Sequence, residues 1–179
     1  MKNYFNEKTK SCSPIQLGRD FFDRHTVDVA PDLLGKILVF GKHKGIITET
    51  EAYRGDDDPA SHAFKGVTPR TRGMFGAPGF SYIYLIYGMY HCLNVTTESE
   101  NMPGAVLIRG LWVEEEHLTG PGKLCRHLQL NLQHNGVDLI RNSDFYLADY
   151  GITLPFKTTS RIGIKVGGDK LWRFVASVN

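Results

Sequence analysis

The chain of 179 residues has the length of one ordinary domain, which is large enough to bury a hydrophobic core without disulfides or structural metals. Apolar residues make up 41% of the sequence and charged residues 22%, values close to those of globular proteins, which argues against a disordered chain and against a membrane protein. The formal net charge of +2 at pH 7 is compatible with a nucleic-acid partner but does not require one, so the placement of the charges matters more than their sum.

The N-terminal residues 1–12 are mostly polar and lack the apolar segment of a secretory signal. We expect a flexible tail at 1–12 and one domain at 13–179, in an intracellular protein. No apolar run approaches the roughly 18 residues that cross a bilayer, so no membrane partner is expected. The cysteines Cys12, Cys92 and Cys125 are odd in number and widely spaced, which argues against a disulfide framework and a zinc cluster.

Two short helices are predicted ahead of the first strands. One lies near residues 19–24 and the other at 28–35. In the second helix, Asp28 or a neighbour would be the N-cap, Pro31 would lie in the first turn, and Gly35 would end the helix.

Two strands at 36–40 and 46–53 flank a turn that begins and ends with glycine, which predicts a hairpin. Because side chains alternate across a strand, Glu49, Glu51 and Tyr53 should lie on one face of the second strand. Glu51 could then serve as a general base whose pKa is set by partly apolar surroundings. The alternative is a solvated carboxylate, which is what single strand carboxylates mostly are.

Residues 54–79 are rich in Gly, Pro, Asp and Thr and are predicted to form a long loop, which is uncommon unless it has a function. Its cations Lys65, Arg70 and Arg72 stand among threonines and glycines, a composition suited to binding phosphates. His62 precedes them. Taken singly, such a loop is more often merely solvated, and such a histidine is more often structural.

Four of the eight tyrosines fall within nine residues, at Tyr82, Tyr84, Tyr87 and Tyr90. The run predicts two strands joined by a turn at Tyr87 and Gly88. A buried phenol needs a hydrogen-bond partner, so this many tyrosines suggests a surface on which nucleobases stack, for about 1–3 kcal/mol each. Taken alone, the run favours the alternative of an ordinary half-buried hairpin, because aromatic residues are enriched in strands.

Beyond the tyrosines, a mostly apolar strand is predicted at 105–111, interrupted by Arg109. A helix is predicted at 119–128, with a Gly-Pro entry and with Leu124 and Leu128 on one face. Further glycines separate the final strands.

Two observations bear on cofactors. A metal-dependent hydrolase is a minority interpretation, because Glu49, Glu51 and the acidic residues 56–58 could supply carboxylate ligands. The spacing of these residues fits no EF-hand loop. The sequence also has no phosphate-loop, serine-hydrolase or zinc-deaminase motif. We therefore expect neither a metal nor a cofactor.

Six short blocks follow one another along the chain, at 49–53, His62, 68–75, 82–90 with Asn94, 107–109 and 120–125. In order and spacing they closely resemble the alkyladenine type of 3-methyladenine DNA glycosylase. Residues 161–163 and 172–174 resemble the C-terminal part of the same family. The resemblance implies a single α+β domain with a curved, mainly antiparallel, open-barrel-like sheet, a protruding β-hairpin and a few short helices.

The resemblance also implies an activity. The protein would act in base-excision repair as a monomer, flip a damaged purine out of duplex DNA and hydrolyse its bond to the sugar. It would work in the cytoplasm at the nucleoid, or in the nucleus of a eukaryote. Glu51 would activate the attacking water, and Arg109 would bind a phosphate or position that water. No lysine is evidently placed as a nucleophile, so a monofunctional enzyme is expected. The expected bases are 3-methyladenine, 7-methylguanine, hypoxanthine and ethenoadenine.

Other residues acquire roles from the same resemblance. Tyr53 and His62 on one side and Tyr84 on the other would hold the purine. Asn94 would reject guanine, and Tyr87 would be the wedge that enters the minor groove. The residues expected at the DNA backbone are Arg70, Arg72, Met89, Lys123 and Gly163.

Two features depart from the family pattern. The connection at 110–118 is short and contains three consecutive glutamates, which would repel DNA. The chain after Phe174 is short as well. A non-catalytic protein that binds damaged or single-stranded DNA through the same aromatic residues remains the alternative, and Glu51 distinguishes the two because binding alone needs no carboxylate beside a stacked base.

Overall fold

The computed structural model describes residues 13–55 and 57–177. The predicted tail at 1–12, with Cys12, lies outside the described residues. Cys92 and Cys125 are buried free thiols. Within the described ranges, no helix is both long enough and apolar enough to cross a membrane.

Ten strands of the described chain form one curled, half-barrel sheet in which every pairing is antiparallel. The strands are β1 (Ile15–Gln16), β2 (Ile37–Phe40), β3 (His43–Arg54), β4 (Ser81–Ile86), β5 (Tyr90–Thr97), β6 (Gly104–Val113), β7 (Glu116–Thr119), β8 (Phe145–Asp149), β9 (Phe156–Thr159) and β10 (Arg173–Ala176). The helices are α1 (Arg19–Phe22), α2 (Thr26–Asp32) and α3 (Pro121–His127), with single 3-10 turns at His62–Lys65, Arg72–Phe75 and Leu132–His134. The predicted α+β class with a mainly antiparallel, open-barrel-like sheet is confirmed.

Strand β3 is the centre of this sheet. One of its edges pairs with β6 along nearly its whole length, and the other pairs first with β2 and then with β10. The predicted hairpin of β2 and β3 and the hairpin of β4 and β5 are both present. The short connection at 110–118 is a hairpin as well, formed by β6 and β7.

The prediction for α2 was wrong at its start. The helix begins at Thr26 instead of near Asp28, so Pro31 lies in its last turn. The cause is a distant cap: a carboxylate oxygen of Glu98 accepts hydrogen bonds from the Thr26 N–H and the Thr26 hydroxyl, both at 2.8 Å. This satisfies a free N–H at the helix start, which a local capping residue usually does.

The pairing of β3 with β6 is irregular near Glu49. Ile47 pairs with Leu111, Glu49 with Gly110 and Thr50 with Ile108, so Thr48 and Arg109 are both skipped and the register is the same on either side of the irregularity. Arg109 lies at this irregularity, and its guanidinium faces two carboxylates of β3.

The hydrophobic core lies between the sheet and the helices α2 and α3. Leu124 and Leu128 are both buried, which confirms the face predicted for α3. The hairpin of β4 and β5 extends past this core, and at its turn the Tyr87 side chain is 84% exposed. The fold thus offers an aromatic hairpin at the surface of a well-packed sheet.

We expect Leu111→Ala to lower the free energy of unfolding by about 2–5 kcal/mol, because Leu111 is 0% exposed and its truncation leaves a cavity. Urea denaturation of parent and variant measures the change. Leu132→Ala is the control: Leu132 is 53% exposed, and its truncation should change the free energy by no more than about 0.5 kcal/mol. Equal losses in the two variants would contradict this view of the core.

Candidate active site

A cavity of about 420 Å³ opens between β3, the hairpin of β4 and β5, β6, and the segment 160–168. Seven of the site residues predicted from the sequence line it: Tyr53, His62, Tyr84, Tyr87, Asn94, Arg109 and Gly163. Glu51 lies directly behind this lining and is 0% exposed. Arg70, Arg72, Met89 and Lys123 are exposed residues outside the lining.

The Glu51 carboxylate is held on both oxygens. Its Oε1 accepts a hydrogen bond from the Ile162 N–H and its Oε2 one from the Tyr53 hydroxyl, each at 2.7 Å. The Nε of Arg109 lies 3.4 Å from Oε1. Burial raises the pKa of Glu51 above its usual value, and it outweighs these three contacts, which favour the charged form. The group therefore combines a fixed orientation with a raised pKa, as a general base requires.

Glu49 lies beside Glu51 in the same network, as the strand alternation predicted. Its Oε1 accepts hydrogen bonds from Arg109 at 2.9 Å and from Arg173 at 2.7 Å. Arg173 comes from β10 and pairs in register with Glu51. Two carboxylates thus meet two guanidinium groups, so the charges of this buried cluster balance.

The described acidic residues considered as metal ligands bind arginines in the structure. Glu49 is bound to arginines, and Asp58 forms an ion pair with Arg161. Asp56 lies outside the described residues. Among residues 13–55 and 57–177, no three His, Cys, Asp or Glu side chains are grouped so as to hold a metal ion.

Aromatic rings form the walls of the cavity. The rings of His62 and Tyr84 meet edge to face with centroids 4.7 Å apart. Bases stack about 3.4 Å apart in DNA, so a purine held between two rings needs them about 7 Å apart. One of the two rings would have to move for a base to lie between them. Burial and the charge of Arg70 lower the pKa of His62, which favours a neutral imidazole.

Asn94 is buried at the cavity wall. Its amide nitrogen donates to the carbonyl oxygens of Tyr82 at 3.0 Å and Cys92 at 3.3 Å. These bonds fix the orientation of the side chain. Tyr82 is itself 2% exposed, as expected of a packing tyrosine, and Tyr90 packs against Gly122 at the start of α3.

The turn at the tip of the tyrosine hairpin is strained. Tyr87 and Gly88 both have positive φ, 50° and 68°, as in the tight turn that best matches strand twist. A side-chain-bearing residue in this conformation costs about 1–2 kcal/mol, and asparagine or glycine would be the usual choice. A bulky aromatic that is strained and exposed contributes little to the core, so its conformation is not explained by packing.

The loop before the hairpin is more ordered than its composition predicted. The buried Thr71 hydroxyl donates to the Gly66 carbonyl oxygen and accepts from the Thr68 N–H, which folds the loop around its basic residues. The guanidinium of Arg70 lies 5.0 Å from the centre of the Tyr84 ring. This loop thus brings Arg70 to the edge of the cavity.

Sequence reasoning assigned no role to several residues of the site. Ile162 and Arg173 contact the carboxylates, Lys165 lines the cavity, and Arg161 forms the buried ion pair with Asp58. Three of them lie in the C-terminal blocks 161–163 and 172–174, which resembled the glycosylase family, and that resemblance was the signal that could have identified them.

Comparison with known proteins shows the family of the chain. The family model of methylpurine-DNA glycosylase matches residues 20–179. A protein of Rickettsia felis is 55% identical over 166 residues, which cover 91% of this chain and 94% of the relative. A protein of Sodalis glossinidius is 54% identical over 161 residues, which cover 88% and 95%. Both carry the provisional name 3-methyladenine DNA glycosylase. The chain therefore belongs to the methylpurine-DNA glycosylase family.

Proposed function

We propose that the protein is a monofunctional DNA glycosylase that releases alkylated or deaminated purines from duplex DNA. The observation that carries the proposal is the position of Glu51, a buried carboxylate oriented through both oxygens behind a cavity walled by aromatic rings. The family and the names of its relatives support excision of 3-methyladenine. We extend the substrates to 7-methylguanine, hypoxanthine and ethenoadenine.

Glu51 is proposed to activate the water that attacks the sugar carbon. Cleavage of the base–sugar bond develops positive charge on the sugar, which a carboxylate stabilises. The ionised form must be available, and Arg109, Tyr53 and Ile162 favour it against the cost of burial. Arg109 also lines the cavity, where it can hold the reacting nucleotide or the water.

The flipped purine is proposed to stack among Tyr53, His62 and Tyr84. Alkylation makes a purine electron-poor or cationic, and a cation over an aromatic face gains about 0.5–2 kcal/mol. Asn94, with its side chain held in place by two carbonyl oxygens, would disfavour unmodified guanine by a steric clash with its exocyclic amino group. The cavity would thus select damaged bases by charge and by shape.

Tyr87 is proposed to fill the gap that the flipped nucleotide leaves in the duplex. The Tyr87 ring is exposed at the tip of the hairpin, so it can enter the minor groove without loss of a contact in the hydrophobic core. Arg70, Arg72, Met89, Lys123 and Gly163 would contact the DNA backbone.

A monofunctional glycosylase uses water, and not a lysine amine, to attack the sugar. Lys165 is the one lysine in the described chain that lines the cavity, and it is exposed. A lysine nucleophile would form a Schiff base that borohydride traps. We expect no such adduct.

We expect Glu51→Gln to slow base release from a hypoxanthine duplex by about 10²–10⁴-fold, because the general base is lost. Binding to the same duplex should survive. Single-turnover release of alkali-labile abasic sites and a gel-shift titration measure the two properties. Glu116→Gln, which changes an exposed carboxylate of β7, is the matched control and should behave as the parent.

Two results would decide against this role. Full activity in Glu51→Gln would refute water activation. Absence of base release from every damaged duplex by the parent would instead favour a non-catalytic DNA-binding protein.

We expect Tyr87→Ala to weaken damage-specific binding by about 1–3 kcal/mol, because the vacated stack is no longer filled. Its unfolding free energy should not fall, since the side chain is 84% exposed. Competition titrations with damaged and undamaged duplexes measure the preference, with Leu132→Ala as the exposed control. An unchanged preference for damaged DNA would refute the wedge.

The raised pKa of Glu51 predicts how stability depends on pH. The folded state binds the Glu51 proton more tightly than the unfolded chain does, so this group reduces stability as pH rises from about 4.5 through the raised pKa. The Glu51→Gln variant cannot ionise there. Urea denaturation at a series of pH values should show the parent losing stability relative to the variant across this window. A relative gain for the parent would mean that its contacts depress the pKa instead.

A further inference from the structure

The ion pair of Arg161 and Asp58 is fully buried beside the active site. Nη1 of Arg161 lies 2.6 Å from Oδ2 of Asp58 and Nη2 lies 2.7 Å from Oδ1, and both side chains are 0% exposed. Removing two charges from water is costly, so a buried pair of this kind is a weak source of stability. The contacts of Arg161 indicate a role in positioning the residues around Glu51.

The guanidinium of Arg161 is attached to the strand that carries Glu51. Nη1 donates a hydrogen bond of 2.9 Å to the carbonyl oxygen of Ala52, the residue between Glu51 and Tyr53. The Arg161 guanidinium carbon also lies 4.7 Å from the centre of the Tyr53 ring and 5.2 Å from that of Trp172. The pair thus joins β3 to the segment 160–168 and supports the Tyr53 ring from behind.

Both groups that hold the Glu51 oxygens depend on this attachment. Ile162, whose N–H donates to Oε1, is the next residue after Arg161, and Tyr53, whose hydroxyl donates to Oε2, lies under the guanidinium. The segment 160–168 has no helix or strand of its own, and Ile162 is 50% exposed. Burial of Arg161 is therefore what brings the Ile162 N–H to a defined place.

We propose that Arg161 and Asp58 are a positioning pair that orients the Glu51 carboxylate through the Ile162 N–H and the Tyr53 hydroxyl. The inference rests on the proposed function, because the orientation matters for catalysis only if Glu51 activates the water. Neither residue of the pair has to touch the DNA.

Titration of Glu51 distinguishes two possible effects of the Arg161–Asp58 pair: orientation of the carboxylate by hydrogen bonds, and a direct effect of the charge of Asp58. The charged and titratable groups that face Glu51 come from five strands, and they are Glu49, Tyr53, Tyr84, Cys92, Arg109 and Arg173. Asp58→Asn removes a negative charge from this region, which by itself would lower the pKa of Glu51. Loss of the two hydrogen bonds to the carboxylate would raise it. The two explanations therefore predict opposite signs for one substitution.

The experiment compares three variants of the full chain with the parent. They are Asp58→Asn, Arg161→Lys, and the double variant Asp58→Leu with Arg161→Met, which replaces the pair by apolar side chains that buried sites often tolerate. The pKa of Glu51 is followed by carbon NMR of its carboxyl group, assigned with Glu51→Gln. The pH profile of single-turnover base release and the affinity for a duplex with a stable abasic-site analogue are measured alongside. Asp149→Asn, which breaks the ion pair of Lys36 on the other side of the sheet, is the matched control.

We expect the titration midpoint of Glu51 to rise by about one pH unit in Asp58→Asn, in Arg161→Lys and in the double variant, equivalent to about a tenfold change in the equilibrium between its two protonation states. The acidic limb of base release should shift upward by the same amount, affinity for the abasic analogue should stay within about twofold, and Asp149→Asn should match the parent. An unchanged or lowered midpoint in Asp58→Asn would overturn the proposal. If that variant does not fold, the double variant and Arg161→Lys decide by the same criterion.

The two hypotheses fail separately. A parent that releases no damaged base would refute the glycosylase function, while the NMR midpoint would still test the positioning. A parent that releases base, with variants that keep its midpoint and its pH profile, would refute the positioning alone.

Discussion

The burial of the Glu51 carboxylate is the constraint on which the arrangement of the site depends. An ionised carboxylate inside a protein is costly unless hydrogen bonds and opposite charges surround it. Here the partners come from separate parts of the chain: Tyr53 from the same strand, Arg109 from β6 and Ile162 from the segment 160–168. Because Arg109 is shared with Glu49, a second arginine, Arg173 from β10, completes the charge balance. The C-terminal strand thus closes the cluster.

Several local irregularities serve this site. Arg109 faces the two glutamates from the irregular stretch of the β3–β6 pairing, and Gly110 beside it has no room for a side chain, since a Cβ there would lie 2.6 Å from the Thr48 hydroxyl. The turn at Tyr87 adopts a left-handed conformation that aromatic residues seldom take. Both features cost stability, which the core between the sheet, α2 and α3 offsets. The core and the site share the strands β3 and β6, since Ile47 and Ile108 belong to the core and Arg109 to the site.

Local sequence patterns were sufficient to predict several strands and one helix. The alternation of side chains and the glycine-containing turns predicted the hairpins, and the spacing of Leu124 and Leu128 predicted α3. The predicted start of α2 was wrong because the residue that caps the helix is Glu98, 72 residues away from Thr26. The sequence near the helix does not indicate that partner. The order inside the loop 54–79 was missed for a similar reason, since composition predicts a loop but not the buried threonine that folds it.

The sequence by itself determined the family, the candidate base Glu51, the aromatic residues around the cavity and the exposed tip of the hairpin. It could do so because these residues occur in short blocks with specific spacing. Only the tertiary structure decided which groups hold the carboxylate. The Ile162 N–H lies 111 residues from Glu51 along the chain, and Asp58 lies 103 residues from Arg161. The partner of a buried charge is set by the packing of distant segments, and a local pattern of residue types does not contain that information.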